Sequence, residues 1–444
     1  MNFVNLFNNK HKKEYLFGHE YNYETEYECS SNSKSKYFNK LMFLIINVNI
    51  IGKDKLKKYI LKNKNEINEK NEKGWTPLHI ATRNSKKFNI VDIVKLLIEN
   101  GANVNSHDND IWTALMMASM YSNTDSNIET VKLLIESGAN VNLQDNNGWT
   151  ALMMASKYSN IDSNLETVKL LIESGANVDL QEKRGWTALM MASKYSNITS
   201  NIQTIKLLIE NRANINLQDK DGWTALMIAS RNSNTNSNIG TVKLLIEGGA
   251  NINLQEKNGW TALMIASRNS NTNSNIETVK LLIESGANVN LQEKDGWTAL
   301  MIATNFFDTE SNSETVKLLL ENRTNVDIKN NSGKTFFSLI GKNKKYHEWT
   351  DIIYQVRHHE FSMRKILKQL LTSYNKIIFH PDSIRVKIMN IKWEINKCHN
   401  DESLKKLYIE MIDKESELIY YLDIMNVDCL KMKINDVVKN LQSL

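Results

Sequence analysis

Cysteine is nearly absent from this chain, and the little there is cannot build a framework. Cys29, Cys398 and Cys429 are odd in number, widely separated and without a Cys-x-x-Cys pair, which excludes a disulfide scaffold and suggests reduced thiols. Long apolar runs are missing as well. The best candidate, Leu41 to Ile51, is interrupted by asparagines and too short for a bilayer, and Met1 to Lys10 lacks the charged-then-apolar order of a secretion signal. A soluble, cytoplasmic protein with no membrane contact is expected. Excess charge of one sign is also small: 55 Lys and Arg against 50 Asp and Glu give +5, with no long basic tract. Charge alone therefore does not indicate nucleic acid. Only two prolines occur against a strong Asn, Lys and Ile bias, the composition of an AT-rich genome such as that of a large DNA virus or a protist.

Catalytic and metal-binding patterns are equally scarce. Gly333-Lys334-Thr335 lacks the upstream glycine of a phosphate loop, and His358-His359-Glu360 lacks the second histidine that a metalloprotease helix needs. Cys398-His399 has no partner pair to complete a zinc site. Neither an enzyme nor a cofactor or metal site is expected.

What the chain does have is a period. Tryptophans stand at 75, 112, 149, 186, 223, 260 and 297, each 37 residues after the last, and Lys334-Thr335-Phe336 continues the grid where Trp-Thr-Ala would fall. In one unit, Trp149 to Tyr158 reads as a short helix with Leu152, Met153, Ala155 and Ser156 on one side. Ser163-Asn-Leu-Glu166 follows as a capping box, repeated as Ser126 with Glu129, Ser274 with Glu277 and Ser311 with Glu314. It opens a second helix that presents Val168, Leu171 and Ile172 and stops at Gly175. A polar, turn-like stretch from Ala176 to Gly185 leads to the next tryptophan. Each unit is helix, loop, helix, hairpin.

Gly74-Trp-Thr-Pro-Leu-His79, followed by Ile93-Val-Lys-Leu-Leu-Ile-Glu-Asn-Gly-Ala-Asn-Val-Asn105, resembles the ankyrin repeat, in particular that of large DNA viruses. The resemblance covers roughly residues 38 to 345 and implies an all-α solenoid of stacked helix pairs with hairpins projecting to one side. Three departures stand out. About four residues are added to the family period of about 33, and they fall in Asn160-Ile-Asp-Ser-Asn164 and its copies. Thr-Pro-Leu-His survives only at Thr76 to His79; later units carry Thr-Ala-Leu-Met, with Met116, Met153, Met190, Met227, Met264 and Met301 substituting apolar packing. Arg212 and Arg323 replace the glycine after the second helix, and Ile111 replaces the hairpin glycine.

These readings divide the chain into an irregular segment (1–37), an N-terminal capping repeat (38–71), seven repeats (72–330), a degenerate repeat (331–360) and a helical C-terminal region (361–444). Lys55 to Asn68 fits the lysine-rich cap that a solenoid end requires.

In the family, the residue after the hairpin glycine and the exposed end of the first helix line the concave face that partners use. Here those positions are Trp112, Trp149, Trp186, Trp223, Trp260 and Trp297, with Lys157, Tyr158, Lys194, Tyr195, Arg231 and Arg268 at the helix ends. Trp, Tyr and Arg are the types enriched at interface hot spots, and the Lys and Arg favour an acidic protein. Each indole has an alternative role, packing on the adjacent hairpin to stiffen the stack. Asp145, Glu182, Asp219, Glu256 and Glu293 in the same hairpins speak against nucleic acid. The resemblance therefore implies a monomeric, non-catalytic scaffold for protein partners. Phe379-His-Pro381 to Ile388 faintly resembles an F-box, which offers a second reading as a substrate-recruiting adaptor for a ubiquitin ligase.

Overall fold

A computed structural model describes residues 14–16, 19–21 and 39–340, apart from 308 and 323. The expectations for Arg323, the histidine and cysteine motifs, the F-box-like segment and the C-terminal helices lie outside the described residues. Ahead of the solenoid, Glu14–Leu16 pairs antiparallel with His19–Tyr21, so the N-terminal segment is not wholly irregular. The sequence signal is the two-residue connection Phe17-Gly18 between short polar and apolar alternations.

Between Lys40 and Ile340 the chain is a stack of helix pairs. The Trp149 unit is representative: a first helix Ala151–Tyr158 and a second Leu165–Glu173. The first helix is enclosed from Ala151 to Ser156, with Leu152, Met153 and Met154 each 1% exposed and Ala155 fully buried. It sits between the first helices of the units before and after it, so a single unit could not cover it alone. The second helix is amphipathic and buries Thr167, Val168 and Leu171. Ile172, expected in the same stripe, is only half-buried because the helix touches the stack along one side.

The helix starts correct one expectation. Asparagine, not serine, caps the second helices: Asn127, Asn164, Asn275 and Asn312 accept the N–H of the third residue on, at 2.8–2.9 Å. Serines 126, 163, 274 and 311 are buried one residue earlier, in a column of hydroxyls that crosses between units. Ser122 and Ser163 lie 3.2 Å apart, and Thr167 donates to Ser122 at 2.7 Å. The same trio recurs as Ser159, Ser200 and Thr204 and as Ser233, Ser274 and Thr278. Glu129, Glu166, Glu277 and Glu314 stay in the first turn, where negative charge favours the helix dipole.

The added residues of each period form a second join between units. Asn160 donates its backbone N–H to the Thr199 carbonyl at 3.0 Å, Asn197 to Asn236 at 3.0 Å and Asn234 to Asn273 at 3.0 Å. On the hairpin side, Gln181 donates to the carbonyls of Gly185 and Gln218 at 2.6 and 3.0 Å, and Gln144, Gln218, Gln255 and Gln292 repeat the bridge. A unit is thus tied to its neighbour through the helix core, the interhelical loop and the hairpin.

Two kinds of left-handed glycine punctuate the unit. A Cβ at Gly175, after the second helix, would meet nothing within 4 Å, whereas one at Gly148 would lie 2.9 Å from the Glu182 Cα in the next hairpin. Arg212 occupies the roomy kind at φ 63° and Ile111 the crowded kind at φ 62°. A β-branched residue is a poor fit to that backbone. Ile111→Gly is expected to raise stability by about 1–2 kcal/mol, measured by thermal melting. An unchanged or lower midpoint would show that the Ile111 side chain contributes packing that offsets its strain.

The Trp75 unit keeps the histidine its successors lost. His79 Nδ1 accepts from the Thr76 N–H at 3.1 Å and lies 2.8 Å from its hydroxyl, so Nε2 carries the proton and donates to the Trp112 carbonyl at 3.1 Å. Burial holds this imidazole neutral, lowering its pKa from 6.5 to about 4. Below pH 6.5 the unfolded chain takes up the proton and the folded one does not, so stability falls as pH drops from 6.5 to 4 and levels off beneath. The loss is on the order of 3 kcal/mol. In later units methionine fills the site, 1% exposed, with its N–H on the capping threonine at 3.2 Å in the Trp149 copy. Melting His79→Met alongside the parent chain between pH 4 and 7 should therefore remove this component. An equal pH slope in both chains would contradict it.

Candidate protein-binding face

Each hairpin is closed by one acid. Asp145 Oδ1 accepts the N–H groups of Asn147 and Trp149, both at 2.8 Å, and the Asp145 N–H donates to the Trp149 carbonyl at 2.9 Å. Glu182, Asp219, Glu256 and Glu293 hold Trp186, Trp223, Trp260 and Trp297 in the same way. Burial pushes the Asp145 carboxyl up, opposed by these N–H groups and by the Trp112 side chain. The acids expected to repel phosphates are thus internal acceptors, and four of these five are buried. Their argument against nucleic acid does not carry over to the folded chain.

The same acids connect neighbouring units. Trp75 donates its indole N–H to Asp108 Oδ2 at 2.9 Å, and Trp112 bonds through its side chain to Asp145. Trp75 is buried, while the six later tryptophans are half-buried. Each of these six indoles is therefore partly covered by the stack and partly open to solvent.

The helix-end residues meet those indoles, because about two turns of the first helix, from the cap Thr150 to Lys157, return the chain to the side of its own hairpin. Lys157 Nζ lies 5.2 Å from the Trp149 ring centre, 4.8 Å from Tyr158 and 5.2 Å from Tyr195 of the next unit. Lys194 lies 5.1 Å from both Trp186 and Tyr195. Arg231 is 5.6 Å from Trp223, and Arg268 is 5.8 Å from Trp260 and 4.3 Å from Phe306. The structure thus brings Trp149, Trp186, Trp223 and Trp260 together with the cation of the same unit. Trp112 and Trp297 have no such cation, since Met120 and Asn305 stand there. Such contacts hold a cation by the ring quadrupole for roughly 0.5–2 kcal/mol while leaving its other side to solvent.

One set of residues on this face escapes a reading of single units. Arg83 pairs with Asp125 at 3.1 Å and Arg268 with Glu310 at 2.6 Å. In each case the acid is 42 residues later, in the interhelical loop of the following unit. Comparing the sequence at a spacing of 42 as well as 37 is the signal that finds it.

Among the described residues, no helix is long and apolar enough to cross a membrane. The family model for ankyrin repeats, described as three copies, matches in overlapping registers from residue 41 to residue 331. Two proteins of Acanthamoeba polyphaga mimivirus, a large DNA virus, named as ankyrin repeat proteins L289 and L91, are 42% identical over 82 residues and 39% over 84. Those alignments cover 18% and 17% of this chain and only 15% and 13% of the relatives. A third, the uncharacterized protein L90 of the same virus, is 24% identical over 89 residues, which are 20% of this chain and 68% of that protein. With the period, the helix pairs and the hairpin stack all agreeing, the chain belongs to the ankyrin repeat family, whose repeats are generally non-catalytic modules for protein–protein interaction.

Proposed function

We propose that the chain is a non-catalytic scaffold that holds an acidic protein partner on the hairpin side of the array. It acts there as a monomer in the cytoplasm, which is the host's if the source is viral. The observation that carries the reading is the row of half-buried tryptophans with Lys157, Lys194 and Arg231 resting on them. Rigid aromatic area beside a partly desolvated cation is the chemistry that interface hot spots use. Trp149, Trp186, Trp223 and Trp260 supply the area together with Tyr158 and Tyr195. Arg268, already paired with Glu310, lies at the edge, and Trp112 and Trp297 extend the row at its ends.

Photo-crosslinking in the full chain tests this. A photoreactive phenylalanine at Tyr158 should trap a partner protein, and the same group at Lys169, on the second-helix side, should not. Equal trapping from both positions, or trapping from Lys169 alone, overturns the assignment of the face.

A further inference from the structure

The ends of the first helices and the interhelical loops of the following units form a second register, in which each helix-end residue has a counterpart 42 positions later. In the Trp75 and Trp260 units the two positions neutralise each other, as Arg83 with Asp125 and Arg268 with Glu310. In three of the four units between, the counterparts of Lys157, Lys194 and Arg231 are Thr199, Asn236 and Asn273, none of which carries charge. Among the described residues these three cations make no ion pair, in contrast to the second-helix lysines such as Lys132 and Lys206, which pair with the glutamate one turn on. At Met120 the arrangement inverts: the acid Asp162 stands opposite an uncharged helix end, and its charge acts on Arg83 of the unit before. Asp162 and Glu310 therefore bound the uncompensated row on either side.

Packing does not impose the neutral residues. The loop join uses only the backbone at these positions: Asn197 donates to the Asn236 carbonyl at 3.0 Å and Asn234 to Asn273 at 3.0 Å. Asn123 makes the same bond to Asp162 at 2.9 Å and Asn271 to Glu310 at 2.9 Å, so the join forms equally well with an acid there. Only Thr199 uses its side chain, donating to the Lys157 carbonyl at 2.8 Å. The missing acids leave three cations in successive units, each with one side against a ring and the other open to an anion.

We propose that Lys157, Lys194 and Arg231 read an extended acidic peptide segment that runs along the stack and carries a carboxylate at about every third residue. Successive packed helices lie roughly 10 Å apart, and a segment in the extended polyproline II conformation rises about 3.1 Å per residue with three residues per turn, so it turns every third carboxylate toward the row at nearly that spacing. Tyr158 and Tyr195 lie beside the row and meet the intervening residues. The inference rests on the interaction face proposed above and names the chemistry of its partner.

The test is titration of the full chain, followed by calorimetry and tryptophan fluorescence, with a short peptide bearing glutamate at every third position. Saturable binding is expected, lost with the glutamine version of the peptide and weakened by added salt. Lys157→Gln, Lys194→Gln and Arg231→Gln together should reduce affinity on the order of tenfold or more. Lys132→Gln with Lys206→Gln should leave it unchanged. Asn236→Glu with Asn273→Glu rebuilds pairs like Arg268 with Glu310 and should weaken binding while leaving the cations in place. Glu310→Gln should let Arg268 join the row and favour a peptide longer by one glutamate. Melting curves of each variant check that these substitutions, at half-buried or exposed positions, leave the stack folded. The proposal is overturned if the parent chain does not bind the glutamate peptide, if the glutamine peptide binds as well, if the triple variant binds unchanged, or if oligouridylate displaces the peptide and binds more tightly. Trapping of a partner from Tyr158 that is insensitive to the triple variant would sink this inference and spare the face; no trapping from Tyr158 would remove the face itself.

Discussion

Replacing Trp186, Trp223 and Trp260 together with alanine is expected both to lower the melting temperature of the array and to abolish binding on the hairpin side. A fully buried tryptophan is worth about 3–5 kcal/mol against alanine, and these are half-buried, which suggests about 2 kcal/mol each. Their backbone N–H groups remain bonded to Glu182, Asp219 and Glu256, so the hairpins keep their closure while the packing between them is thinned. In a stack whose stability is a sum of unit and interface contributions, damage to three adjacent interfaces uncouples the two halves. The melting transition should therefore broaden or split as well as move. Amide exchange in the hairpins from Gly185 to Trp260 reads the effect locally. Full retention of the melting temperature would mean that the indoles serve contact alone, and retained binding would mean that they serve only the stack.

The opposite sign is expected inside the first helices. Ser119, Ser156, Ser193, Ser230 and Ser267 are fully buried, and among the described residues their hydroxyls have no hydrogen-bond partner. At the two ends of the array the equivalent residue is threonine, and it bonds back along its helix: Thr82 to the His79 carbonyl at 3.1 Å and Thr304 to Leu300 at 2.7 Å. A buried hydroxyl without a partner costs about 1–3 kcal/mol, and alanine is the better helix former. Ser156→Ala, Ser193→Ala and Ser230→Ala together should raise stability by about 3 kcal/mol, visible as a higher urea midpoint at unchanged slope. No gain would mean that each hydroxyl finds a carbonyl in solution.

Much of this molecule is legible along the chain because its period is rigid. The spacing of the tryptophans, the apolar face of each helix and the glycine stops mark helix, loop, helix and hairpin without reference to coordinates, since each obeys a local rule of φ, capping or periodicity. Asn164 shows where local rules fall short. Serine and asparagine are both good caps, and Ser163 with Glu166 fits the capping box, yet Ser163 is drawn into a hydroxyl column by Ser122 of the preceding unit. Only the neighbour decides between them. Asp145 and its copies behave likewise, since along the chain their charge looks free to repel phosphates, whereas in the fold the N–H groups of Asn147 and Trp149 close around it.

By itself the sequence determined the family, the number of units and the candidate face, all of which follow from residues repeated at fixed spacing. The tertiary structure decided which side chains are consumed internally and which remain to act. Lys157, Lys194 and Arg231 are set apart from Arg83 and Arg268 by what stands 42 residues later. That distinction exists only when one unit is packed against the next, because electrostatic compensation depends on distance in space and not on position along the chain.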